Sequence, residues 1–203
     1  GAQNPVTVNN ESGSITVVEK AKSASVTANI LSWNNNNDIV TKLYDASMSD
    51  KDIRADMKNG NPTNALAYVS AVKAPVASGK QYSVEIGFEN VEVGNYKLAV
   101  FKPGKYAVKV VAFEINESSV ALGNVKLWLY GDVNYDGKIT GADVTQIKRY
   151  VTKKSSLFTS DAENLSGRLL IADIDGNGRV AGADATQIKR YTARKSSAFD
   201  KLS

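Results

Sequence analysis

The 203-residue chain contains no cysteine and no histidine. Without cysteine there are no disulfides and no thiolate metal sites. Without histidine the commonest general base and the commonest zinc ligand are both missing. Ser-His-Asp and Cys-His catalysis are excluded outright. No apolar run approaches the roughly 20 residues that a membrane span requires, so no membrane role is expected. No secretory signal pattern is present, and the opening Gly1-Ala2 reads as a processed end that leaves room for a removed targeting segment. Glycoside hydrolysis needs two positioned carboxylates in a cleft, and nothing marks such a pair. The chain is therefore read as non-catalytic.

What is present falls into two regions with different patterning. The first, up to about Tyr130, contains runs rich in Val, Ile, Tyr and Phe at 25–32, 38–46, 81–89, 95–102, 106–115 and 124–130. Most alternate apolar and polar residues, which is the period of a half-buried strand. Turn chemistry such as KNGNPTN, EVGN and KPGK separates them. Short strands at this spacing predict a β-sandwich. Residues 48–60 fit either a short helix or a loop excursion, and residues 1–23 either a linker or an added strand.

From Gly131 onward, Gly/Asp/Asn-rich loops alternate with helical periodicity. The stretch DVNYDGKITGADVTQIKRY (Asp132–Tyr150) returns as DIDGNGRVAGADATQIKRY (Asp173–Tyr191), offset by 41 residues. Val144, Ile147 and Tyr150, matched by Ala185, Ile188 and Tyr191, form one helical stripe. A further helix is expected within 160–172, with Ser160 as N-cap and Glu163 completing a capping box. Residues 131–203 carry 12 basic and 9 acidic side chains, and six of the nine acids lie in the repeated loops. Once those loops hold cations the remaining surface is strongly basic and suits an acidic partner. The basic residues follow no nucleic-acid motif, so no nucleic-acid partner is expected.

The loops have the spacing of calcium sites. The first offers Asp132, Asn134, Asp136, the Lys138 carbonyl, Thr140 and Asp143. The second offers Asp173, Asp175, Asn177, the Arg179 carbonyl, a water near Ala181, and Asp184. These are positions 1, 3, 5, 7, 9 and 12 of a twelve-residue calcium loop, with Gly137 and Gly178 at the sharp turn. Calcium is a hard ion that takes oxygen ligands, and a donor set lacking thiolate and imidazole argues against zinc and copper. Ile139 and Val180, at position 8, are expected to pair the loops across a short β-bridge. Position 12 is Asp rather than the usual Glu, and the strand-like VKLWLY runs straight into the first loop. Each motif is thus half an EF-hand: a loop and one exiting helix.

This combination resembles a dockerin, the calcium-binding module that plugs proteins of cellulosomes into cohesin domains. The resemblance covers about Gly131 to Phe199. It implies two calcium ions and a cohesin of a scaffoldin or cell-surface anchoring protein as partner. It also implies an extracellular, cellulosomal setting and a chain that is monomeric when unbound. Carried over residue by residue, the partner face comprises Gly141, Ala142, Thr145, Lys148, Arg149 and Lys153. Its second copy comprises Gly182, Ala183, Thr186, Lys189, Arg190 and Arg194. Gly-Ala stands where one clostridial group has Ser-Thr, which leaves the cohesin type open. The matching copies suggest dual binding, with either helix meeting the same partner. The preceding strands resemble a carboxypeptidase-regulatory or Cna-B-like module of the kind called an X-module.

The expected fold is therefore multidomain. Residues 1–23 form a linker or extra strand. Residues 24–130 form an immunoglobulin-like or transthyretin-like all-β sandwich. Residues 131–203 form an all-α dockerin, docked rigidly because almost no linker separates the two. Tyr130 and Phe199 are expected to clasp the ends of the helical unit. Trp33, in an Asn-rich turn, leaves a second reading open: a carbohydrate-binding sandwich with the calcium unit as stabiliser. An exposed Trp can stack on a sugar, while a Trp packed on the sandwich edge cannot.

Overall fold

The computed structural model describes residues 8–11, 14–17, 22–33, 38–116, 118–162 and 164–202. Strands β1 (Val8–Glu11) and β2 (Ser14–Val17) pair as an antiparallel hairpin. Lys22 then leads into the next strand. The tip of the Asn-rich turn and Glu163 lie outside the described residues.

The β region continues as β3 (Ser23–Ser32), β4 (Val40–Asp45), β5 (Ser70–Val72), β6 (Val76–Ser78), β7 (Gln81–Glu92), β8 (Gly94–Phe101), β9 (Lys109–Ile115) and β10 (Val120–Lys126). One sheet runs β10-β3-β7-β5, with β6 also on β7; the other runs β4-β8-β9. Alternation produces the core. Val26, Ala28 and Ile30 of β3 and Val84, Ile86 and Phe88 of β7 point inward, against Leu98 and Val100 of β8. Each such fully buried side chain stabilises the fold by about 1.5–3 kcal/mol. Near its end β7 carries one extra residue opposite β3, between Val91 and Phe88. Asn90 absorbs it in the left-handed region at φ 55°, and Val91 returns to the core.

β10 pairs with β3 in parallel. A parallel neighbour needs a long crossover, and here the crossover is the rest of the sandwich. The strand expected at 124–130 therefore begins earlier, at Val120, and ends at Lys126. The short edge strands β5 and β6 had no clear signal of their own.

The segment 48–60 contains a helix, α1 (Asp50–Lys58). Ser49 caps it by accepting from the Asp52 N–H at 3.2 Å. Ile53 and Met57, four residues apart, bury on the outer face of the second sheet with Tyr44 and Ala99. Asp56 on the same helix is buried. Burial pushes its carboxyl up, but the Tyr44 hydroxyl at 2.9 Å and the N–H groups of Thr63 and Asn64 hold it below the usual range.

The second region is helical: α2 (Gly141–Val151), α3 (Leu157–Ser160), α4 (Leu165–Ala172) and α5 (Gly182–Thr192), closed by a 3-10 turn at Ala198–Lys201. The expected N-cap role of Ser160 is not observed, because Ser160 is the last residue of α3. Ser156 starts that short helix, and its N–H donates to the Thr159 hydroxyl at 3.0 Å. Asn164 then precedes α4. Among the described residues no helix is long and apolar enough to cross a membrane.

The two regions are joined through a short extended segment that follows β10, residues 127–130. Leu127 and Leu129 lie in the sandwich core, whereas Trp128 and Tyr130 lie in the helical core. The two-residue period of extended backbone thus serves two cores at once, with Leu129 bridged to Tyr106. Both cores thus draw on the same short segment.

Candidate metal centre

The first loop, Asp132–Asp143, closes around its own carboxylates. Asp132 accepts from the N–H groups of Asp136 at 3.0 Å and Gly137 at 2.9 Å. Asp143 reaches back from the first turn of α2 to accept from Thr140 N–H at 2.8 Å and Asn134 N–H at 3.3 Å. The second loop, Asp173–Asp184, repeats this pattern. Asp173 accepts from Asn177 at 3.1 Å and Gly178 at 2.8 Å. Asp184 accepts from Ala181 and Ile174, both at 2.8 Å. Gly137 and Gly178 make the turn at φ 81° and 84°, a region closed to most side chains.

These carboxylates lack counter-charges. Asp132, Asp143 and Asp184 are fully buried, and among the described residues no Lys or Arg is ion-paired with any of the six loop acids. In the second loop, oxygens of Asp173, Asp175 and Asp184 lie within 4.8 Å of one another. In the first, burial pushes Asp132 up to about 7, against the pull of the Gly137 and Asp136 N–H groups and helped by the charges of Asp143 and Asp136. Asp143 is raised as well, again chiefly by burial. Buried, unpaired, all-oxygen donors fit a hard divalent cation.

One sequence expectation changes. The Ile139–Val180 bridge is absent among the described residues; both side chains pack half-buried on the helical core instead. The Thr140 hydroxyl is engaged as the cap of α2, accepting from Ala142 at 3.2 Å. Ala181 caps α5 with the same backbone angles and no hydroxyl.

Beyond the loops the repeat extends further than TQIKRY. Gln146 accepts the Leu157 N–H at 3.0 Å, and Gln187 accepts the Ala198 N–H at 2.9 Å. Arg149 Nε donates to the Ser155 carbonyl, and Arg190 Nε to that of Ser196. Tyr150 stacks on Phe158 and Tyr191 on Phe199, each with centroids 4.6 Å apart. KKSSLF at 153–158 and RKSSAF at 194–199 are therefore part of the repeating unit. Each helix holds its own return loop by the same three contacts.

Residues 130–193 match the family model described as dockerin type I domain. This stretch carries a dockerin domain. Such domains bind calcium in general and are non-catalytic. No curated protein matches the chain. Three solved chains do. One belongs to a type II cohesin–X-dockerin complex from Acetivibrio cellulolyticus, at 16% identity over 75% of this chain and 93% of that one, with a TM-score of 0.24.

In the dockerin all twelve residues of the expected partner face are exposed: Gly141, Ala142, Thr145, Lys148, Arg149, Lys153, Gly182, Ala183, Thr186, Lys189, Arg190 and Arg194. The expected clasp is present. Gly131, at φ 85°, leaves room that Phe199 fills, since a Cβ there would stand 2.7 Å from the ring. Buried Arg168, not anticipated from sequence, braces the first loop from α4. It donates to the Val133 carbonyl, pairs with Asp161 and lies 5.1 Å from the Trp128 ring centre. Trp33 is half-buried, packed on the first loop. Its ring lies against Gly137 and meets Tyr135 edge-on at 5.4 Å.

Proposed function

We propose that the chain is a non-catalytic cellulosome assembly module whose dockerin binds a cohesin in a calcium-dependent way. In this reading the ions sit in the two loops. Asp132, Asn134, Asp136, the Lys138 carbonyl, the Thr140 position and Asp143 hold the first. Asp173, Asp175, Asn177, the Arg179 carbonyl and Asp184 hold the second. The observation that carries the reading is the repetition. Two loops in matching register each end in a helix whose outer face exposes Thr, Lys and Arg at the same positions. Calcium supplies positive charge that cancels the buried carboxylates, and folding of the loops then sets both helix starts.

Residues 131–203 act as the dockerin and 24–130 as a stabilising spacer. The setting is extracellular, where the chain anchors its parent protein to a scaffoldin or cell surface. Lys148 and Lys189 are the better partner probes, because Arg149 and Arg190 also hold their own return loops. Calcium-dependent binding to a panel of cohesins is the decisive experiment. Capture of at least one cohesin with calcium, lost in excess EDTA, is expected. Folded, calcium-loaded protein that binds none of a broad panel refutes the reading. Dual binding predicts small losses for K148A or K189A alone and a large loss for the pair. Abolition by either single change shows that one face alone binds.

A further inference from the structure

The two loops differ at one register position, and the difference leads into the sandwich. Position 4 is Tyr135 in the first loop and Gly176 in the second. Both take the left-handed region, at φ 57° and 72°. For Gly176 this is free, but for tyrosine it is strained. Tyr135 is held there by aromatic packing, 4.7 Å from Trp128 and 5.4 Å from Trp33, with the Lys126 ammonium 5.7 Å away. Position 6 repeats the contrast. A Cβ on Gly137 would meet Trp33 carbons at 2.8–3.0 Å, whereas one on Gly178 would meet nothing within 4 Å. Residues 175–179 are all exposed. Arg54 and Lys58 of α1 share open clefts of about 620 and 820 Å3 with Asp173. Among the described residues neither hydrogen-bonds to the second loop.

We infer that Trp33 of the sandwich is a positioning residue for the first calcium loop. That loop is braced by the neighbouring unit, while the second, whose carboxylates converge as well, has no ring over its turn glycine. The inference rests on the calcium reading above. A loop already held in its ligating turn loses less freedom on binding, so its affinity is higher by that margin. Trp33 touches no ion. It acts by pressing the turn at Gly137 and by holding Tyr135 in its strained conformation.

The experiment is calcium titration by calorimetry on the full chain, with D184N isolating the first site and D143N the second. W33A should weaken the first site about tenfold, the range for a supporting-shell change, and leave the second within about twofold. W33F, which keeps a ring over the turn, should recover most of the loss. Glycine variants protect the test against misfolding of W33A. G137A and G178A impose the same backbone strain, but only G137A meets Trp33. G137A should cost the first site more than G178A costs the second, and the excess should vanish in the W33A background. Equal losses at both sites, no loss at the first, or an excess that persists without Trp33 overturns the inference. If neither site of the unaltered chain takes up calcium, the calcium reading itself has failed.

Discussion

The first loop lies against the Trp33 ring of the sandwich, and the turn of the second lies open, although both close on the same pattern of carboxylates and N–H groups. The difference teaches that metal-binding spacing and loop support are separate properties. Spacing is set by residue types every second position. Support is set by what the fold brings alongside.

Chelation is the strongest way to erase the contrast, because both loops lose the cation that offsets their buried charge. Excess EDTA should remove most of the helical circular dichroism while the strand signal of the sandwich persists. A helical signal unchanged by EDTA refutes the dependence. Next come the two ring plugs, Phe158 and Phe199, both buried. Phe199→Ala and Phe158→Ala should each cost about 3–5 kcal/mol in denaturant melts. Phe199→Ala should be the worse, since it also opens the space above Gly131.

Acidity should weaken the first site. Asp132 stands near 7 in the fold, against 3.8 ordinarily. A raised carboxyl means the metal-free fold holds more protons than the unfolded chain between those values, so its stability falls as pH rises through them. Calcium reverses the preference, because it binds the ionised form. Calcium affinity of the first site should drop about tenfold from pH 8 to pH 6, a one-unit proton competition. Titrating D184N at both pH values checks this. Smallest is Gly176→Ala, where nothing lies within 4 Å and the left-handed backbone alone costs about 1 kcal/mol. Gly131→Ala, with the same class of backbone but Phe199 overhead, should cost at least twice that in the same melts.

The loops were legible in the sequence because their chemistry is local: an oxygen donor at each alternate position and a glycine at the turn. The sandwich was legible as strands from their alternation, and the helices from their stripes. What was hidden depends on distant partners. Nothing local to Val120–Lys126 says that it lies parallel to β3. Tyr135 reads as a variable loop position until Trp33 and Trp128 stand beside it. Arg168 reads as a surface cation on an apolar helix until the Val133 carbonyl is found under it. The constancy of TQIKRY suggested a partner that sees both copies. The structure shows an internal reason for the Gln, Arg and Tyr, which fasten each helix to its own return loop. The Thr hydroxyls donate to the Gly141 and Gly182 carbonyls of their own helices, which leaves Lys148 and Lys189 as the repeated residues that still call for a partner.

The shared segment 127–130 bears on inheritance. Units strung on a flexible linker can be cut apart and reshuffled by recombination without harm to either. Here any genetic crossover at the apparent border cuts a segment whose residues alternate between two hydrophobic cores, Leu127 and Leu129 in one and Trp128 and Tyr130 in the other. The pair of units, not the dockerin alone, is what can be passed intact from one protein to another.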